Sequence, residues 1–549
     1  MSKNYPSSDR AGETSHELNL LADVLVIGGS LAGSWAAYTA RAAGADVVVV
    51  EKGYLGTAGV VAAASCGGRH ILPDDHEQRH RTIYQQHDIA CSLDDVAFIE
   101  RVYDECYRVG KKLQALGFTP GGAGPNNLTS FPGPYSMNFL RNLLLRSGVR
   151  ILDNSPALEL LTNEGVVSGA AGVNRVTGVS WSVRAGAVIL ATGGNAFRSG
   201  AMGTNGSTGD GYLMAAEVGA SFTGMEYSGH YGIAPINSSC TKGFWYSSAT
   251  FFDARGQELP INGWAAVPTV AKAILETGAA FAQITKPNPL VVRGGTTAFH
   301  VYCKRVGLDP AKEKFQIELL YEGTVRAVGG LPVDDAGATD VPGLFAVGDV
   351  TDRTKLAGAA MSGAGPAIAW CLASGEWTGK SAAASATGRR RDALSGILEA
   401  NGRVGLRPSH GNGQPLGHSE ITKSVQDEIL PLGKNCFRHE STLRHSLTRL
   451  DGLWASSRAG LRGGDARELL KAREAAALIA SGRWIYEAAL SRTETRGLHR
   501  RIDHRESDPS QLHRIRVGGF DQVWTDTAPI ADTSMHKSAE HKQPAGAAS

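Results

Sequence analysis

Gly28, Gly29 and Gly33 interrupt the chain just after the apolar run Ala22-Asp23-Val24-Leu25-Val26-Ile27. Glu51 stands eighteen residues beyond Gly33, at the end of a second run, Val47-Val48-Val49-Val50. Glycine at these positions does specific work. Gly28 permits a tight turn after a strand, and Gly33 lets the following helix pack closely on it. The intervening Ser30, Leu31 and Ala32 open an Ala-rich helix that continues to Ala43. The unpaired N–H groups and dipole at such a helix start favour a pyrophosphate. Glu51 is placed to accept hydrogen bonds from an adenosine ribose, with Lys52 beside it. The middle position of G-x-G-x-x-G is Ser30, small enough for close approach at some cost.

Two later stretches have the same texture. Gly186-Ala187-Val188-Ile189-Leu190 is a buried strand that ends in Ala191-Thr192-Gly193-Gly194, where missing side chains let the backbone approach a ligand. Val341-Pro342-Gly343-Leu344-Phe345-Ala346-Val347-Gly348 places Asp349 after a strand and a glycine, within reach of ribityl or phosphate-linked oxygens. Ser362, Gly363 and Ala364 then begin a helix whose N-terminus can face a flavin pyrimidine edge and stabilise negative charge there. Three pieces in this order point to one FAD site. Ala157 and Asp210 are assigned to the same site.

These pieces need a large scaffold. At 549 residues the chain has room for two or three domains. With 20% charged residues and a net charge of +2, nothing invites a nucleic-acid partner. No apolar run is long enough to span a membrane, and the N-terminus lacks a signal-peptide core. The seven cysteines (66, 91, 106, 240, 303, 371 and 436) include no C-x-x-C pair. That scatter argues against a metal or iron–sulfur cluster and suits reduced thiols in a cytoplasm.

The expected fold is α/β: a Rossmann-like FAD-binding domain interrupted by an α+β capping domain and followed by a helical C-terminal domain. The boundaries expected are a disordered tail over 1–19, FAD-binding segments at 20–230 and 329–384, and a cap at 231–328. A linker over 385–415, helices over 416–524 and a disordered tail over 525–549 complete the chain. Apolar spacing predicts a helix over Asp94–Leu116, and short β segments follow from Val149 to Leu190.

This organisation resembles the succinate dehydrogenase/fumarate reductase flavoprotein superfamily, which includes L-aspartate oxidase and the flavin subunit of adenylylsulfate reductase. Ser207-Thr208-Gly209-Asp210-Gly211, running on to Met225-Glu226, is similar to the family's approach to the cap. Gly329-Gly330-Leu331-Pro332-Val333 is similar to its return. Ala58-Gly59-Val60-Val61-Ala62 resembles the stretch along the isoalloxazine, which assigns Ala58 and Gly59 to the cofactor. Ser491-Arg492-Thr493-Glu494-Thr495-Arg496-Gly497-Leu498-His499-Arg500-Arg501-Ile502-Asp503 is similar to the S-R-x-E-S-R-G-x-H-x-R-x-D signature of the C-terminal domain.

The resemblance implies a substrate held between FAD domain and cap, with hydride passing between flavin N5 and a substrate carbon. It puts Lys272, in Thr269-Val270-Ala271-Lys272-Ala273-Ile274, where fumarate reductases have an acid-acting arginine. His230 and Arg326 are the other candidate catalytic residues. The family's H-x-x-x-G-G histidine is missing from Val325-Arg326-Ala327-Val328-Gly329-Gly330. Its carboxylate-clamping arginine is missing from Gly358-Ala359-Ala360-Met361-Ser362, and Glu226-Tyr227-Ser228-Gly229-His230-Tyr231 lacks the Q-F-H-P-T run. A dicarboxylate needs two cationic clamps, so succinate, fumarate and aspartate are not the expected substrates. No histidine lies near Ala58-Gly59, the nearest being His70, so FAD is expected to be non-covalent.

The reading is an FAD-dependent oxidoreductase acting on a small substrate. Its electron partner is expected to be oxygen or a ferredoxin-like electron-transfer subunit. A flavin oxidase or monooxygenase of a biosynthetic pathway is one alternative. An electron-transfer subunit serving an iron–sulfur partner is another.

Overall fold

The computed structural model describes residues 17–67, 71–119, 130–243, 245–261, 266–286, 297–361, 363–407 and 415–530. The strands Leu18–Ile27 and Val47–Val50 form because their apolar, largely β-branched ends can be buried on both faces; Val24, Leu25 and Val26 are fully buried. They pair in parallel, Ile27 opposite Val50. Ser180–Leu190 lies parallel on the other side, with Ile27 opposite Leu190, and Leu344–Ala346 pairs in parallel with it, Ala346 opposite Leu190. The four strands thus end on one edge of an eight-stranded sheet. That edge receives all three glycine-rich stretches. Ligands of open α/β sheets bind outside such carboxyl ends.

The sheet continues through Val166–Val173 and Ala157–Asn163 to Glu399–Ala400. Leu31–Ala42 and the long helix Ala364–Leu394 pack together over one face. A second sheet, antiparallel and four-stranded, runs in the order Tyr231–Pro235, Phe315–Tyr321, Ala280–Ile284, Ala249–Asp253. It has its own aromatic core, in which Trp245 and Phe299 stack with centroids 4.8 Å apart. The helix over Val96–Ala115 is capped by the Asp95 carboxylate, which accepts from the Phe98 N–H.

The C-terminal part contains the helices His418–Ile429, Glu440–Gly460 and Ala466–Ser491. Three details depart from the expected boundaries. The helix from Ala364 runs to Leu394 rather than stopping at 384, because its Ala, Ser and Arg residues are compatible with continued helix. Glu399–Ala400, expected in a linker, is a strand at the sheet edge. The strand Trp524–Ala528, which crosses the expected start of the disordered tail at 525, pairs with Arg514–Gly518, which in turn pairs with Phe222–Thr223 of the first domain. Those pairings join residues far apart in sequence, so local composition carries no sign of them. Among the described residues, no helix is long and apolar enough to cross a membrane, and no group of metal-ligating side chains occurs.

Candidate active site

A cavity of about 810 Å³ opens along the carboxyl edge of the main sheet. Gly28, Ser30, Leu31, Ala32, Glu51, Lys52, Ala58, Gly59, Ala157, Ala191, Thr192, Gly193, Asp210 and Asp349 all line it. Gly28 has φ +103°, and a Cβ there would stand 2.4 Å from the Ala191 carbonyl oxygen. Gly33 lies behind the wall, where a Cβ would come within 2.0 Å of the Gly28 carbonyl oxygen. The Ser30 side chain is accommodated because Gly59 faces it; a Cβ on Gly59 would meet Ser30 Oγ at 2.4 Å. Gly363 is not among the described residues of the cavity wall, and Ala364 opens the long helix. Ser362 lies outside the described residues, as does His70.

The donors of this cavity suit a dinucleotide. Ser30 makes no side-chain capping bond, which leaves the first N–H groups of helix Leu31–Ala42 for an anion. The Thr192 hydroxyl is buried without a hydrogen-bond partner in the protein. Glu51 accepts hydrogen bonds from the Gly29 and Gly53 amides at 2.7 and 2.8 Å, so its carboxylate also braces the phosphate turn. Lys52 Nζ bonds Asp210 Oδ2 at 2.6 Å, Glu474 Oε1 at 2.9 Å and Thr208 Oγ1 at 2.9 Å. Burial works against the charged form of Lys52, but Asp210 and Glu474 outweigh it and raise its pKa.

Glu474 shares the wall with Arg467 and Lys471. All three lie on one face of helix Ala466–Ser491, at spacings of one helical turn. The C-terminal helices therefore complete the cofactor cavity. Motif reading missed them; the charges at Arg467, Lys471 and Glu474, spaced at helical turns just before the Ala-rich run Ala475-Ala476-Ala477, are the signal that could have found them.

A second cavity of about 220 Å³ draws its wall from every part of the chain. His230 and Tyr246 come from the smaller domain, Glu322 and Arg326 from the turn that leaves it, Met361 from the loop before Ala364, and Arg500 from the C-terminal signature. Glu322 Oε1 accepts from Lys242 Nζ at 2.5 Å and from Thr241 Oγ1 at 2.6 Å. Its Oε2 lies 3.7 Å from His230 Nε2 and 3.9 Å from Arg326 Nε. Burial would raise the Glu322 pKa, but Lys242, Arg326 and His230 together bring it down to about 2. Burial pushes His230 down to about 3; Glu322 opposes this, while Arg326, Lys242 and Arg500 reinforce it. At neutral pH the imidazole is uncharged and the carboxylate ionised.

One buried side chain ties the two cavities together. Arg353 bonds Asp349 Oδ1 at 2.5 Å and donates to the Thr324 and Ala327 carbonyls at 2.5 Å each. Asp349 lines the first cavity, whereas Thr324 and Ala327 flank Arg326 in the turn that shapes the second.

Lys272 requires correction. Its side chain is 69% exposed and faces Glu276 at 3.7 Å across one helical turn. It lines neither cavity, because Val270, Ala271 and Ala273 form the buried face of that helix. The structure gathers His230 and Arg326 with Glu322 and Arg500, which no local motif had singled out as site residues. Other charges of the C-terminal signature pair within it or with Glu226. Arg492 Nε meets Glu226 Oε1 at 3.0 Å, and Arg492 and Arg496 bond Glu494 at 2.8 and 2.7 Å. They clamp the C-terminal part onto the first domain.

The sequence matches the family described as "FAD binding domain" over residues 23–97 and 109–366. It matches "Fumarate reductase flavoprotein C-term" over residues 427–539. It is 28% identical to L-aspartate oxidase of Streptomyces coelicolor, covering 90% of this chain and 91% of that one. The fumarate reductase flavoprotein of Haemophilus influenzae is 23% identical over 73% of this chain and 72% of its own. Among solved structures, E. coli quinol fumarate reductase superposes with a TM-score of 0.78 at 18% identity, covering 94% of this chain and 98% of that one. Adenosine-5-phosphosulfate reductase superposes at 0.71 and 17% identity, covering 95% and 99%. With a dinucleotide cradle fitted to its FAD-binding family and a matching C-terminal domain, the chain is an FAD-dependent oxidoreductase and belongs to the succinate dehydrogenase/fumarate reductase flavoprotein superfamily.

Proposed function

We propose that this flavoprotein exchanges a hydride with a small organic substrate bound in the second cavity, and that the substrate is neither succinate nor fumarate. The observation that carries the reading is the second cavity itself. It combines a buried charged cluster with apolar walls and is joined through Arg353 to Asp349 of the cofactor cavity. When bound, FAD supplies a two-electron acceptor or donor. The chain's own residues position the substrate and exclude water. Arg326 and Arg500 supply positive charge, and neutral His230 can offer one ring nitrogen as hydrogen-bond donor or acceptor. Met361, in the loop where the family's carboxylate-gripping arginine is missing, supports a substrate other than a dicarboxylate.

The reading includes non-covalent FAD, held by the backbone turn and by contacts along the cavity. It includes a cytoplasmic location, supported by Cys91, Cys106, Cys240, Cys303 and Cys436 being free thiols. The name of the relatives, L-aspartate oxidase, supports reoxidation by oxygen over an iron–sulfur partner. Acid precipitation of one sample of the purified protein, and anaerobic reduction of a second, native sample with a timed return to air, test these points. Release of yellow FAD into the supernatant and reoxidation within seconds are expected. Colour retained in the pellet would refute non-covalent binding, and reoxidation over many minutes would refute oxygen as acceptor.

A further inference from the structure

We propose that the first turns of helix Ala466–Ser491 clamp the adenosine end of FAD, so that cofactor binding fastens the helical C-terminal part to the sheet domain. The helix lies well beyond the match to the FAD-binding family, which ends at residue 366. Its position along the cavity is nevertheless specific. Leu470 lines the cavity and packs with Leu158 and Val173, whose neighbours Ala157 and Arg175 belong to the same wall. One turn further on, buried Glu474 accepts from Lys52 Nζ at 2.9 Å and from the Arg198 guanidinium. Lys52 directly follows Glu51, the carboxylate placed to accept from the adenosine ribose. The helix therefore stands at the adenosine side of the cavity.

The chemistry of that side suits an adenine. The turn after Val166–Val173 is held there by its backbone, the Arg175 N–H donating to the Asn154 carbonyl at 2.8 Å. Val176, next in that turn, lines the cavity yet is 63% exposed, and burying it under a flat base removes apolar surface from water. Arg175 and Arg467 line the same cavity, and planar guanidinium groups stack on aromatic faces. Lys471 is already paired with Glu468 at 3.1 Å, which leaves Arg467 as the helix's cation for the ligand. The pyrophosphate has its own site at the start of helix Leu31–Ala42. Without cofactor, the same helix docks through Arg473, which donates to both oxygens of Glu217 at 2.8 and 2.6 Å. A ligand that touches the helix and the sheet domain together stabilises the docked arrangement by mass action.

The test uses the full chain, FAD-loaded and freed of FAD, with ADP as a probe that carries the adenosine end and no flavin. Amide hydrogen exchange over residues 469–474 is expected to slow by roughly tenfold on adding either FAD or ADP at saturation. ADP should compete with FAD in equilibrium dialysis read by flavin absorbance. Arg467→Ala, at an exposed position, should weaken FAD and ADP by one common factor of roughly three to ten. Glu474→Gln should weaken both by roughly tenfold or more, the loss of a charge-assisted hydrogen bond. Exchange on the unaltered chain decides the matter even if Glu474→Gln does not fold. The clamp is overturned by exchange that ignores both ligands, by protection from FAD but not ADP, or by ADP that fails to compete. An Arg467→Ala affinity within twofold of the parent, or a loss confined to FAD, overturns it as well.

Discussion

Arg353→Met removes the side chain that connects the two cavities while leaving the volume nearly filled. Arg353 is 1% exposed and bonds one carboxylate and two carbonyls at 2.5 Å. The substitution strips the Asp349 carboxylate of its counter-ion and leaves the Thr324 and Ala327 carbonyls unpaired. Breaking one partner of a buried ion pair costs about 3–5 kcal/mol. The loss has a definite pH dependence. Burial already raises the Asp349 pKa despite the opposing field of Arg353, so removing the guanidinium raises it further. A carboxyl whose pKa is raised in the folded state stabilises only while protonated. The unfolded carboxyl is common to both proteins, so the deficit of the variant grows only as pH rises above the parent's own raised Asp349 pKa. Urea unfolding at a series of pH values, followed by flavin and tryptophan fluorescence, measures this directly. A deficit below about 1 kcal/mol at neutral pH, or one that shrinks as pH rises, would refute the strut.

Gly33→Val places carbon where a Cβ already stands 2.0 Å from the Gly28 carbonyl oxygen, so helix and strand must part. The variant should purify without yellow colour, and retention of FAD at wild-type stoichiometry would contradict the assigned cradle. Glu322 has its pKa lowered from the ordinary 4.5 to about 2, so its ionised form adds stability above pH 4.5 that is lost as pH falls towards 2. Glu322→Gln should abolish that segment of the stability–pH curve, a change on the order of 3 kcal/mol; an unchanged acid limb would show that the cluster is not formed. Lys272→Ala should leave turnover within about twofold, since an exposed surface substitution perturbs little, and a tenfold loss would return that lysine to the mechanism.

Much of the cofactor site was legible because its constraints are local. A phosphate turn needs glycine at fixed offsets from a strand and a helix, so Gly28, Gly33, Glu51, Thr192 and Asp349 announce themselves within short windows. The boundary errors have the opposite cause: most of Trp524–Ala528 looked like tail because its strand partner Arg514–Gly518 is anchored on distant Phe222–Thr223. The resemblance that placed Lys272 at a catalytic position matched residue pattern but not side-chain direction, and direction depends on which face of its helix the smaller domain buries.

What the sequence determined by itself is the α/β class, the FAD cradle and the flavoprotein family, since each follows from short-range spacing that backbone geometry enforces. Only the tertiary structure decided that Arg467, Lys471 and Glu474 close the cofactor cavity. Only it could unite His230, Glu322, Arg326 and Arg500 around a second one. Those charges lie on separate segments, and burial and mutual fields that set their ionisation exist only once the chain has packed.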